Sequence, residues 1–156
     1  MVSMIEYLYM VAAALLVGKV ALLSFVVAPI LAKNLEREAF SKVVRELFPA
    51  YYTLGMGTAI AGLMSVAGLG LIFGMSTILV IAGGTWLIIF AAEAHCRSSL
   101  TPRSNAMRDR LKEQESRGAV DPTLQTAWNS LHQRSVYLNS LALVAGLCLL
   151  GLAGRW

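Results

Sequence analysis

The stretch MIEYLYMVAAALLVGKVALLSFVVAPILA, Met4 to Ala32, decides the fold. It is apolar almost throughout, yet it carries a lysine, Lys19, near its middle. A helix rises about 1.5 Å per residue, so ~20 apolar residues cross ~30 Å of hydrocarbon. In lipid every backbone polar group needs a partner, and nothing here alternates as a barrel strand would, so a helical span is the reading. A cleaved leader fits less well. The segment lacks a basic n-region, carries Glu6 instead, and ends in no small-x-small site.

The rest of the chain agrees. Its 156 residues are 57% hydrophobic and only 14% charged, and the mean hydropathy is +0.65. A soluble domain of this size needs more polar surface. Three further apolar segments cover about 50–74, 76–94 and 135–154. The expected fold is all-α: a single transmembrane domain over 1–156, built as an integral membrane four-helix bundle. Cys96 and Cys148 stand alone, without CxxC or zinc spacing.

The connections differ. Between the first two spans, Leu35, Ala39, Phe40, Val43 and Leu47 recur at helical spacing, with charges opposite. Asn34 is a candidate cap and Pro49 a candidate boundary, which predicts a separate interfacial helix over about 35–48. Gly74-Met75-Ser76 is a tight hairpin. The third connection, about 98–134, reads as a long charged helical arm. Thr101-Pro102 opens it, Gly118 stops its first helix, and Asp121-Pro122 starts the next. Every Lys and Arg except Lys19 and Arg155 falls in these two basic connections or at the start of the fourth helix. The positive-inside rule then puts the connections in the cytoplasm and both termini outside, with a bacterial inner membrane as the expected location. Interfacial arginine of this kind does not imply nucleic acid.

Small residues allow helices to approach in lipid. Ala14, Gly18, Ala21, Ala28 and Ala32 share one face of the first span, and Gly55, Thr58, Gly62 and Ser65 line up in the second. Both faces are expected to pack inside the bundle, with contact to a partner subunit or a second copy as the alternative.

Three polar features stand out. Gln125, Trp128, His132, Ser135, Asn139 and Gly146 fall in one stripe of the fourth helix. With Glu93, the trio His132, Ser135 and Asn139 would form a polar notch at the cytoplasmic interface, acting either as helix glue or as a ligand site. Glu93, His95 and His132 are weak metal or haem ligands, because adjacent His95 and Cys96 diverge by ~100° on a helix. Glu93 is expected to pair with Arg134, Arg97 or His132. Lys19, counted from the inner end of its span, lies roughly 20 Å deep. Glu93 counts as too shallow to meet it, leaving Lys19 as an intramembrane charge suited to an anion, a partner's acid or a wet cavity.

Several segments resemble a small membrane family that includes the mammalian transmembrane protein 205. They are Leu47-Phe48-Pro49-Ala50-Tyr51, Leu100-Thr101-Pro102-Arg103-Ser104 with its Pro102-Arg103 step, and His132-x-x-Ser135-x-x-x-Asn139. The resemblance implies four spans and assigns no activity. No GxSxG, HExxH, P-loop or dinucleotide motif is present, so neither enzymatic activity nor a cofactor is expected. The leading expectation is a non-enzymatic accessory or assembly component of a membrane complex. The alternatives are a small carrier or permeation protein, and a metal- or haem-binding protein.

Overall fold

A computed structural model describes residues 2–118 and 121–156. The chain forms α1 (Val2–Leu22), a π-helical turn (Leu23–Val27), α2 (Ala28–Asn34), α3 (Arg37–Phe73) and α4 (Thr77–His95). A second π-helical turn (Cys96–Leu100), α5 (Thr101–Ser116) and α6 (Pro122–Leu152) complete it. No strand occurs among the described residues. Four helical rods, Met4–Asn34, Arg37–Phe73, Thr77–Ser116 and Pro122–Leu152, are long and apolar enough to cross a membrane. In the charged arm, residues 119 and 120 lie outside the described set.

Two expected breaks are absent. Residues 35–48 do not form a separate interfacial helix: from Arg37 the chain runs straight into α3 with Pro49 inside it. A continuous helix bends at proline but does not turn from the membrane plane to its normal. Asn34 does not cap this helix either, because its Nδ2 donates back to the Ile30 carbonyl at 2.8 Å, and Glu36 takes the N-cap position. The third span also fails to stop at Ala94. It continues through the π turn into α5.

The two π turns have one cause. Each comes just before an X-Pro step, Ala28-Pro29 and Thr101-Pro102. Proline lacks a donor and its ring collides with the carbonyl four residues back. Widening the preceding turn by one residue relieves that collision, and the Ala28 and Thr101 N–H groups reach the Leu23 and Cys96 carbonyls five residues back. The Thr101 hydroxyl adds a second bond to the Cys96 carbonyl at 2.8 Å.

Helices α1, α3, α4 and α6 form a ring of neighbours, so α1 faces α4 across one diagonal and α3 faces α6 across the other. At one end the termini meet: Trp156 Nε1 donates to Glu6 at 3.0 Å and its ring packs edge-on against Tyr9. The hairpin, with Gly74 at φ 82° and Ser76 capping Leu79 N, joins the two spans whose other ends carry the charges. At the arm end Arg37–Glu115, Arg45–Asp109 and Lys112–Glu38 pairs tie the start of α3 to α5.

The core has two parts. Toward the termini it is dry and close-packed: Tyr9, Leu16, Leu69, Leu79, Trp86 and Leu149 are fully buried. Gly62 makes room for Trp86, since a Cβ there would enter the indole. Of the small-residue faces, only the α3 one is buried as expected. In α1 the inward face is Tyr9, Ala12, Ala13, Leu16 and Lys19, and Ala14 and Gly18 point outward. The bulky residues fill the bundle centre, which alanine and glycine alone would leave hollow.

Candidate functional site

The second part of the core is built around charge. Lys19 on α1 and Glu93 on α4 are both buried, and Lys19 Nζ donates to Glu93 Oε1 at 2.6 Å across the bundle diagonal. This corrects the expectation that Lys19 lacks an acid and that Glu93 pairs with Arg134, Arg97 or His132. The error lay in measuring depth from the inner ends of the apolar runs, which are staggered. From the terminal end the counts agree: Lys19 is 17 residues into α1 and Glu93 is 16 into α4. Edge-on packing of Tyr9 on Trp86, with centroids 6.0 Å apart, holds the two helices in that register.

Helix α3 supplies the walls. The Lys19 ammonium sits 3.8 Å from the centre of the Tyr51 ring and 3.5 Å from the Tyr51 carbonyl oxygen. Gly55, one turn on, has no side chain because a Cβ there would strike the Glu93 carboxyl and the Lys19 Nζ. Glu93 Oε2 is buried and accepts no hydrogen bond among the described residues.

The other diagonal is bridged by neutral polar groups. Tyr51 Oη donates to Asn139 Oδ1 at 2.7 Å, and Tyr52 Oη lies 2.8 Å from Ser135 Oγ. Asn139 Nδ2 in turn donates to the Ser135 carbonyl at 2.9 Å. Pro49 leads into both tyrosines, and Phe48 stacks on the Tyr52 ring at 5.8 Å. Tyr52, Ser135 and Asn139 also line a cavity of about 410 Å³ at the arm end. From this cavity the polar contacts run from Asn139 to Tyr51 and on to Lys19 and Glu93. The termini-side core seals the far side.

The expected notch is thus divided. Ser135 and Asn139 bind the tyrosines. His132 stays at the exposed cavity mouth, stacked on Trp128 at 5.8 Å. Glu93 is not in the notch and belongs to the Lys19 pair. The α6 stripe does face one way, from Gln125 at the charged cleft to Gly146 packed on Leu16 and Val17. Pro102 and Arg103 are exposed outside the cavity, which their neighbours Leu100, Thr101 and Ser104 help to line. His95 is exposed, and no three His, Cys, Asp or Glu side chains converge as a metal site among the described residues. The free Cys96 thiol is buried beside the tyrosines, and Cys148 is exposed.

Tyr51, Tyr52 and Gly55 were missed by sequence reasoning as site residues. One signal pointed to the pair itself: apart from Glu6 near the start, Glu93 is the only acid in the apolar segments, and Lys19 the only base well inside them. Burial in lipid favours matching such charges.

Fold and site together define an integral membrane helical bundle with an intramembrane ion pair behind a cavity at the arm end. By sequence the chain belongs to the family described as a domain of unknown function, DUF4149, whose model matches residues 11–110. That match includes Lys19, Tyr51, Tyr52, Gly55 and Glu93 and stops before α6. No curated protein and no solved structure matches the chain.

Proposed function

We propose that this protein is a non-enzymatic membrane carrier for a small amphiphilic solute, taken up at the arm end. One observation carries the reading: the buried Lys19–Glu93 pair is joined through Tyr51 and Asn139 to a cavity at that end. A pair of this kind costs several kcal/mol to desolvate and is a weak contributor to stability by itself. Ionisable groups inside membranes commonly mark solute or proton paths. Protonation of Glu93, whose Oε2 is uncommitted, would change the charge of the pair by one unit and so bias the two diagonals against each other. Arginine and lysine bias supports a cytoplasmic arm end in a bacterial inner membrane. The likeness to the transmembrane protein 205 family fits as well, since all three motif segments contribute residues to the cavity wall: Phe48; Leu100, Thr101 and Ser104; His132, Ser135 and Asn139.

Proteoliposomes test the carrier. Anionic, zwitterionic and cationic fluorescent amphiphiles are offered in turn. At least one class should cross faster with wild-type protein than in protein-free vesicles, and Lys19→Met/Glu93→Gln should slow it. Equal rates with and without protein across all three classes would sink the reading.

A second reading, an accessory subunit or homo-oligomer, is favoured by Ala14 and Gly18. They sit one turn apart on the outside of α1, where a partner helix packs closely. Gly18→Leu should then release a co-purifying chain or dissociate a dimer. Unchanged association would remove this reading.

A further inference from the structure

We propose that the arm-end cavity binds an anionic phospholipid, with its phosphate on the Arg108 guanidinium and one acyl chain in the cavity. The inference rests on the reading of this cavity as the solute site and names the solute's chemistry.

Beside the cavity lies a cleft of about 570 Å³, and Arg108 and Trp128 line both. Five cations line that cleft. Four of them pair with carboxylates: Arg37 with Glu115, Arg45 with Asp109, and both Lys42 and Lys112 with Glu38. Arg108 has no carboxylate within ion-pair distance among the described residues. It donates to the Ser41 hydroxyl at 3.0 Å and lies 5.7 Å from the centre of the Trp128 ring. A guanidinium offers five donors in a planar fork, and a phosphate accepts two of them side by side. Arg108 is therefore a half-buried cation with most of its donors uncommitted, held in place by a serine and an indole.

Val20, Leu23, Val44 and Leu143 make the cavity's apolar floor, while Arg108 and His132 stand at its polar rim. Phe25 and Val136, which also line it, are 70% and 51% exposed, so the cavity opens sideways toward lipid. Its volume lies within the ~300–1,000 Å³ usual for ligand sites. A charged head at the membrane edge beside a tail slot between spans matches a lipid better than a free phosphate compound. Basic pockets between spans are known hosts of anionic lipid heads.

Native mass spectrometry of the full chain in mild detergent tests this, using phosphatidylglycerol and phosphatidylcholine of the same acyl length. Wild type should retain phosphatidylglycerol about fivefold over phosphatidylcholine, and Arg108→Gln should abolish that preference. Ser140→Trp, which fills the cavity from an exposed lining position, should block both lipids. Arg103→Gln, outside the cavity, should change nothing. Helix content by circular dichroism shows whether each variant is folded, and Arg108→Lys, which keeps charge without the fork, should give an intermediate preference. Equal retention of the two lipids by wild type overturns the proposal. So does loss of phosphatidylglycerol on adding millimolar inorganic phosphate, which would assign the site to a soluble anion. Retention without movement in proteoliposomes leaves the lipid site standing and removes the carrier. Movement of other amphiphiles without lipid retention does the reverse.

Discussion

The two halves of the bundle solve different problems. Toward the termini, Tyr9, Trp86, Leu16 and Leu149 form a mainly apolar core in which the Tyr9 hydroxyl donates to the Leu149 carbonyl at 3.2 Å and the buried Trp86 Nε1 finds no acceptor among the described residues. Toward the arm, the same four helices hold an ion pair, two tyrosines, a serine, an asparagine and a cavity. Hydrophobicity cannot sort helices inside lipid, so shape does that work in the first half. Polar matching across both diagonals does it in the second. The difference teaches that the dry half sets helix register, and that this register delivers Glu93 to Lys19.

The comparison breaks most sharply at the pair. Lys19→Ala or Glu93→Ala leaves an uncompensated buried charge, and either should cost about 3–5 kcal/mol of stability by thermal unfolding in detergent. An equally large loss from exposed Arg103→Ala would show that the assay does not discriminate the pair. Gly55→Ala should cost about 1–3 kcal/mol through overpacking against both charged groups. Gly84→Ala, with open space around it, should be near neutral. Next come two matched tyrosines. Tyr9→Phe and Tyr51→Phe should each lose about 0.6 kcal/mol, typical of a hydrogen bond between membrane helices. Only Tyr51→Phe should alter amphiphile flux, because only Tyr51 lies between the cavity and the pair. Equal effects on flux would erase the distinction between the halves.

The smallest effect concerns the arm. Asp121 caps α6, accepting from the Thr123 hydroxyl at 2.7 Å and the Thr123 N–H at 2.8 Å. These bonds hold its carboxyl below the ordinary value of 3.8. Its contribution is therefore complete above that value and fades as the pH falls through the lower folded value. The protection of the amides in the first turn of α6, taken relative to their intrinsic exchange rate at each pH, should fall in acid, and Asp121→Asn should flatten that response. An identical acid response in Asp121→Asn would assign it to another group.

Much of this was legible in the sequence. Segment length and apolarity were enough for four spans, because lipid leaves the backbone few options. The α3 face of Gly55, Gly62 and Ser65 and the α6 stripe were readable as well, since helical periodicity carries them. Pro49 and Pro102 misled, because a proline reads as a boundary and these two sit within continuous rods. The α1 face was read from its small residues, yet the larger ones turned inward. Lys19 with Glu93 was hidden by the stagger of the helix ends, which no single segment encodes. His132 resembled the centre of a site, but it stacks at the mouth while the tyrosines of α3 do the bridging.

A double-mutant cycle on Lys19 and Glu93 tests the central claim most directly. Unfolding free energies in detergent are compared for wild type, Lys19→Met, Glu93→Gln and the double variant. If the two charges pair inside one chain, the double variant should recover at least about 2 kcal/mol of the summed single losses. Simple additivity, within ~0.5 kcal/mol, would contradict the pair and with it the account of the site.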